Sequence, residues 1–162
     1  MNRPGWTLME LIVVVALMAV ISAGAIVVVR APLAAGRMQS DIDAALQADR
    51  LARSHALRFG RPSDLVYEIG SPATLIVEQT PSKAGASRQL ESLKDVRLPS
   101  ASRTTRSVTI PIDADGRSPS YGLRFVNTRD EDVWIVVAGG TGQPLQGLTQ
   151  QDVNELLEAQ SP

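Results

Sequence analysis

Nineteen consecutive uncharged positions, Leu11 to Val29, form the strongest hydrophobic pattern in the chain. As an α-helix this run rises about 28 Å, close to the hydrocarbon thickness of a bilayer. It predicts a transmembrane helix rather than a buried core helix. An ordinary signal peptide has a shorter apolar core and a small-x-small cleavage site. Arg30 follows this run at once and Arg3 precedes it, which predicts a retained anchor, with a weak charge bias placing the bulk of the chain outward.

Past Pro32, a residue suited to kinking or interrupting a helix, the pattern turns amphipathic. Met38, Ile42, Ala45, Ala52 and Ala56 recur at three-, four- and seven-residue intervals, and Leu46 and Leu57 widen the stripe. Asp49 occupies the missing stripe position and is expected to face a groove or solvent. Gly60 and Pro62 end the helix. Strands are predicted at 64–69, 73–79, 96–98, 108–112, 121–126 and 133–138, with a loop over 80–89 and an antiparallel pair across 127–132. Thr149, followed by acidic residues and by Val153, Leu156 and Leu157, predicts a short capped C-terminal helix. The fold class expected is α+β, one long helix packed on a small antiparallel sheet of about five or six strands.

Composition narrows the chemistry. The 162 residues carry 16 Lys and Arg against 17 Asp and Glu, a net charge of -1, which disfavours a highly basic nucleic-acid-binding protein. The chain has no Cys, so disulfides, thiolate catalysis and Cys-ligated zinc are excluded. Residues 30–61 hold six Arg and three Asp. Such a face can meet neighbouring subunits or anionic membrane lipid, but reads first as the solvated side of an amphipathic helix. Glu10, at the edge of the apolar run, can snorkel to an interface, or can seek a cationic partner in an assembly.

Gly5-Trp6-Thr7-Leu8-Met9-Glu10-Leu11, followed by the apolar run, resembles the processing and assembly signal of type IV pilins and the pseudopilins of type II secretion. The resemblance implies a pilin-like fold, cleavage by a prepilin peptidase between Gly5 and Trp6, N-methylation of Trp6, and a role for Glu10 in filament assembly. Trp6 stands where the family usually has Phe. Ala52 to Arg58 with the following Leu65-Val66-Tyr67, Ile110 to Ser118, and Val136 to Gly142 resemble the GspH/FimT-like minor pseudopilins.

The resemblance further implies a nonenzymatic subunit that initiates or caps a periplasmic pseudopilus, anchored once in the bacterial inner membrane with its C-terminal domain in the periplasm. Its expected partners are the prepilin peptidase, other minor and major pseudopilins, the secretion inner-membrane platform and membrane lipid. The organisation expected is a leader at 1–5, a transmembrane and assembly helix at 6–30, its continuation at 31–61, a sheet domain at 62–148 and a C-terminal helix and tail at 149–162. The rival reading is a minor type IV pilin for pilus priming or DNA uptake, with Arg103, Arg106 and Arg117 as candidate nonspecific phosphate contacts. Asp113, Asp115, Asp130, Glu131 and Asp132 dilute that field.

Three other motifs are read as structural. Asp113-Ala-Asp115-Gly116 supplies only a fraction of the six to eight oxygens calcium requires, and no metal or cofactor is expected. His55, between Arg53 and Arg58, has no nucleophile elbow or metal-binding motif around it, and no catalytic residue is expected. Gly139-Gly140-Thr141-Gly142 lacks the Gly-Lys-Ser/Thr ending of a phosphate loop and reads as a turn.

Overall fold

The computed structural model describes residues 8–79, 87–99 and 106–159, with residues 22–35 and 79 described by backbone alone. Gly5, Trp6, Arg103 and most of the expected 80–89 loop lie outside the described residues. The chain divides into two compact units, Met1–Gly36 and Arg37–Pro162.

Helix α1 (Leu8–Phe59) contributes to both units and stays helical through Pro32. It ends where Gly60 takes φ +60 and the Arg61 N–H donates to the Ala56 carbonyl, the left-handed glycine closure that satisfies a terminal carbonyl. Among the described residues no helix is long and apolar enough to cross a membrane. This overturns the single-pass inner-membrane placement and the membrane-spanning first half of the helix expected from Leu11 to Val29.

The Arg37–Pro162 unit combines helix and sheet. The strands are β1 (Ser63–Glu68), β2 (Ala73–Gln79), β3 (Ser87–Leu90), β4 (Leu93–Arg97), β5 (Ser107–Ile112), β6 (Tyr121–Val126), β7 (Asp132–Val137) and β8 (Pro144–Leu148), followed by α2 (Gln150–Glu158). They form two antiparallel four-stranded sheets rather than one sheet of five or six strands, ordered β3-β2-β1-β5 and β4-β6-β7-β8. The mixed α+β architecture is as expected.

Alternation along the strands explains the layering. In β6 and β7, Tyr121, Leu123, Phe125, Ile135 and Val137 join the main buried cluster with Ile42, Ala45, Ala52 and Ala56 of α1 and with Leu65, Tyr67 and Ile110 of the first sheet. The intervening Trp134 and Val136 face the other way and pack with Val153 and Leu157 of α2. Successive strand residues point to opposite faces, so α2 covers the face of the second sheet that the main core leaves open. Gly122 permits this: a Cβ there would lie 2.9 Å from Val153 Cγ1. Thr149 caps α2 through a reciprocal capping box with Asp152, and the hydrogen bonds from Thr149 hold the Asp152 carboxyl below its usual range.

Candidate functional site

In the Met1–Gly36 unit, the described side chains of α1 are exposed on every side. Leu8, Met9, Leu11, Ile12, Val13, Val14, Val15, Leu17, Met18, Val20 and Ile21 are 37–80% exposed. An apolar stripe on one side would indicate a helix lying on a core, whereas an apolar surface all round calls for cover all round. Glu10 is the acidic residue of the helix's first turn and is exposed. That position suits a carboxylate, because the first turn presents unsatisfied backbone N–H groups and the positive end of the helix dipole.

In the Arg37–Pro162 unit the densest polar constellation is centred on Asp49 and Arg53, one helical turn apart and both buried. Arg53 Nε donates to Asp49 Oδ2 at 2.7 Å. Arg53 Nη1 donates to the Gly116 carbonyl at 2.9 Å and the Gly139 carbonyl at 2.7 Å, and Nη2 donates to Ser118 Oγ at 2.8 Å. Tyr121 Oη donates to Asp49 Oδ1 at 2.8 Å. The planar guanidinium thus ties α1 to the β5–β6 and β7–β8 connections at once, a geometry that Lys cannot supply. Asp49 is thus closed off from bulk solvent but lines the floor of a cleft of about 580 Å³ together with Arg53, so it faces a groove as expected, while Arg53 leaves the solvated basic face expected for it.

The Gly139 to Gly142 turn is shaped by this contact. A Cβ on Gly142, which has φ +69, would stand 2.8 Å from Arg53 Nε, and one on Gly139 would stand 2.0 Å from the Ser118 carbonyl oxygen. These glycines admit neighbouring protein groups, not a phosphate. Asp113 is likewise consumed locally, its Oδ1 accepting from the backbone N–H of Asp115 at 3.0 Å and of Arg117 at 2.7 Å. Among the described residues no group of three His, Cys, Asp or Glu side chains could hold a metal ion. His55 is partly buried, its ring 4.6 Å from that of Phe59 and Nδ1 3.4 Å from Ser63 Oγ.

The candidate phosphate contacts are not gathered. Arg106 precedes β5 and Arg117 lies beyond its far end, a separation of about 20 Å along six strand residues. Sequence reasoning missed the Asp49–Arg53–Tyr121 network. Its legible trace was a carboxylate in an apolar stripe with an arginine four residues on.

Tyr67 packs beside the network, its ring 6.4 Å from that of Tyr121. Burial pushes the phenols of both Tyr67 and Tyr121 well above the ordinary value near 10, with the Asp49 carboxylate adding to the shift. They are the two tyrosines of the chain. A raised folded pKa makes their contribution to stability complete below about pH 10 and lost as pH climbs toward the folded values. In an alkaline titration, tyrosinate absorbance is expected to appear only together with loss of far-ultraviolet circular dichroism. A full absorbance step near pH 10 in a chain that keeps its native spectrum would contradict the burial.

No family model, curated protein or solved structure matches this chain.

Proposed function

We propose that the chain is a nonenzymatic filament subunit of the pilin-like class, a minor pseudopilin of a type II secretion system, whose N-terminal helix packs among like helices. The supporting observation is the all-round apolar exposure of Leu8 to Ile21. A single groove covers one face of such a helix. A bundle of similar helices covers it on all sides, each fully buried Val, Leu or Ile contributing roughly 1.5–3 kcal/mol. The leader-like sequence before Leu8 and the carboxylate of Glu10 support the same reading. Separation of Arg106 from Arg117 favours this over a DNA-uptake role.

The test is coexpression of the full chain with a prepilin peptidase and a set of pseudopilins. Intact mass is expected to show loss of Met1 to Gly5 and a methyl group on Trp6, both dependent on the peptidase. Glu10→Leu is expected to be processed normally yet fail to cosediment with assembled filaments. Leu17→Asp should also abolish cosedimentation by forcing a charge into the helix bundle. An unprocessed leader, or wild-type cosedimentation of the Leu17→Asp chain, would refute the proposal.

A further inference from the structure

Two exposed, oppositely charged helix faces lie on the Arg37–Pro162 unit. On α1, the side away from the core carries Arg50, Leu51, Ser54, Leu57 and Arg58, all exposed, and exposed Arg61 follows just past the helix end. Within the helix, spacings of one, four, seven and eight residues from Arg50 keep these side chains within about a third of the circumference. Among the described residues, none of the three arginines is in an ion pair. This face borders a cleft of about 580 Å³ that is also lined by Thr141 and by two acids, Asp115 and the Arg53-paired Asp49.

On α2, Asp152, Glu155 and Glu158 are exposed at three-residue intervals, with Gln151 beside them, and the helix contains no basic residue. Val153 and Leu157 point the opposite way into the second sheet. The acidic face is about 9 Å long from Asp152 to Glu158 and the basic face about 12 Å from Arg50 to Arg58.

The two faces cannot meet within one molecule. The α1 residues Ile42, Ala45, Ala52 and Ala56 pack in the main core, on one side of the β4-β6-β7-β8 sheet, and α2 packs on the other. We infer that the acidic outer face of α2 on one copy docks against the basic outer face of α1, beside the Thr141 cleft, on a second copy of this chain. Such a contact uses different surfaces on the two partners. It is heterologous and, unless its rotation closes, propagates as an open filament. The inference rests on the filament reading and names the partner and the contact that join neighbouring globular units. Charge complementarity of this kind fixes register and partner choice.

The test uses the full chain in three forms: wild type, Arg50→Glu/Arg58→Glu, and Glu155→Lys/Glu158→Lys. All substituted side chains are exposed, and each variant should keep the wild-type thermal midpoint. Sedimentation velocity at about 0.05 M and 1 M salt reads the contact, because at 1 M the screening length falls to about 3 Å. Wild type is expected to form larger species at low salt than at high salt. Each variant alone should lose that difference, and an equimolar mixture should regain it, since each then offers the other two complementary faces.

In the Cys-free background, Ser54→Cys/Gln151→Cys should give an oxidised ladder of multimers, whereas either single variant should stop at dimers. Salt-sensitive assembly that survives both charge reversals would overturn the contact while leaving the filament reading standing. Failure of the mixture to regain what each variant lost would do the same. Failure of the wild type to assemble in either salt, together with an unprocessed leader, would remove both.

Discussion

Replacing Arg53 by Met is expected to destabilise the Arg37–Pro162 unit by about 3–5 kcal/mol, the usual cost of removing one partner from a buried ion pair. For a unit of this size the thermal midpoint should fall by about 10–20 °C. The loss has two parts. Asp49 is left without its cation in the core, and the buried carbonyls of Gly116 and Gly139 lose the donor that Arg53 Nη1 supplies at 2.9 and 2.7 Å.

The double variant Asp49→Leu/Arg53→Met separates these parts. Removing both charges restores the ion-pair share. Stability should still stand below wild type, because the Gly116 carbonyl loses its Arg53 donor at a cost of about 1–3 kcal/mol, the Gly139 carbonyl keeps only the Ser118 N–H, and Tyr121 Oη has lost its acceptor. Full recovery in the double variant would show that the two loop contacts contribute nothing. Chemical denaturation with far-ultraviolet circular dichroism is the measurement, and little loss in the single variant would refute the anchoring role of Arg53.

Gly139→Ala is the second large effect. The cause is space rather than backbone conformation, since Gly139 does not have positive φ. Its added methyl would meet the Ser118 carbonyl oxygen at 2.0 Å and the Pro119 carbonyl carbon and Ser120 nitrogen at 2.7 Å each. All three are backbone atoms, so relief requires the two loops to move apart. That movement breaks a stitched contact: Ser118 N–H donates to the Gly139 carbonyl at 3.0 Å, and Gly139 N–H donates to Ser120 Oγ at 2.8 Å.

Overpacking of this kind costs typically about 1–3 kcal/mol, and the disrupted hydrogen bonds, including that from Arg53, raise the expected total to about 3 kcal/mol or more. The neighbouring Gly140→Ala is the control. Its Cβ meets nothing within 4 Å, and its stability should stay within about 0.5 kcal/mol of wild type. Equal effects at the two positions would contradict the close approach at Gly139.

Local patterns gave several boundaries directly. Strands at 73–79 and 121–126 follow from branched and aromatic runs between turn residues, and coincide with β2 and β6. The end of α1 was legible in Gly60, and the start of α2 in Thr149 and Asp152. β3 and β8 were not legible. Ser87-Arg-Gln-Leu90 has three exposed residues and one buried, while Pro144-Leu-Gln-Gly-Leu148 carries Pro and Gly and buries none of its residues fully. Both are edge strands, and edge pairing is decided by the neighbouring strand more than by a strand's own apolar pattern.

The amino-acid sequence determined what short-range spacing controls: the helical repeat of α1, the glycine that ends it, the strand alternation and the capping box of α2. It also contained the exposed acidic and basic faces, because helical position alone groups residues three and four apart. Tertiary structure decided which charges are surface and which are core. Asp49 and Arg53 have the i, i+4 spacing of an ordinary surface pair, and only convergence of Tyr121, Gly116, Ser118 and Gly139 buries and satisfies them. It also divided the strands between two sheets and set α2 opposite the main core. The physical reason is range: caps and periodicity act within a turn or two, whereas the burial of Asp49 and Arg53 depends on groups 63 to 86 residues away, and sheet partnership on strands such as β1 and β5 that the chain brings together from Ser63 and Ile112.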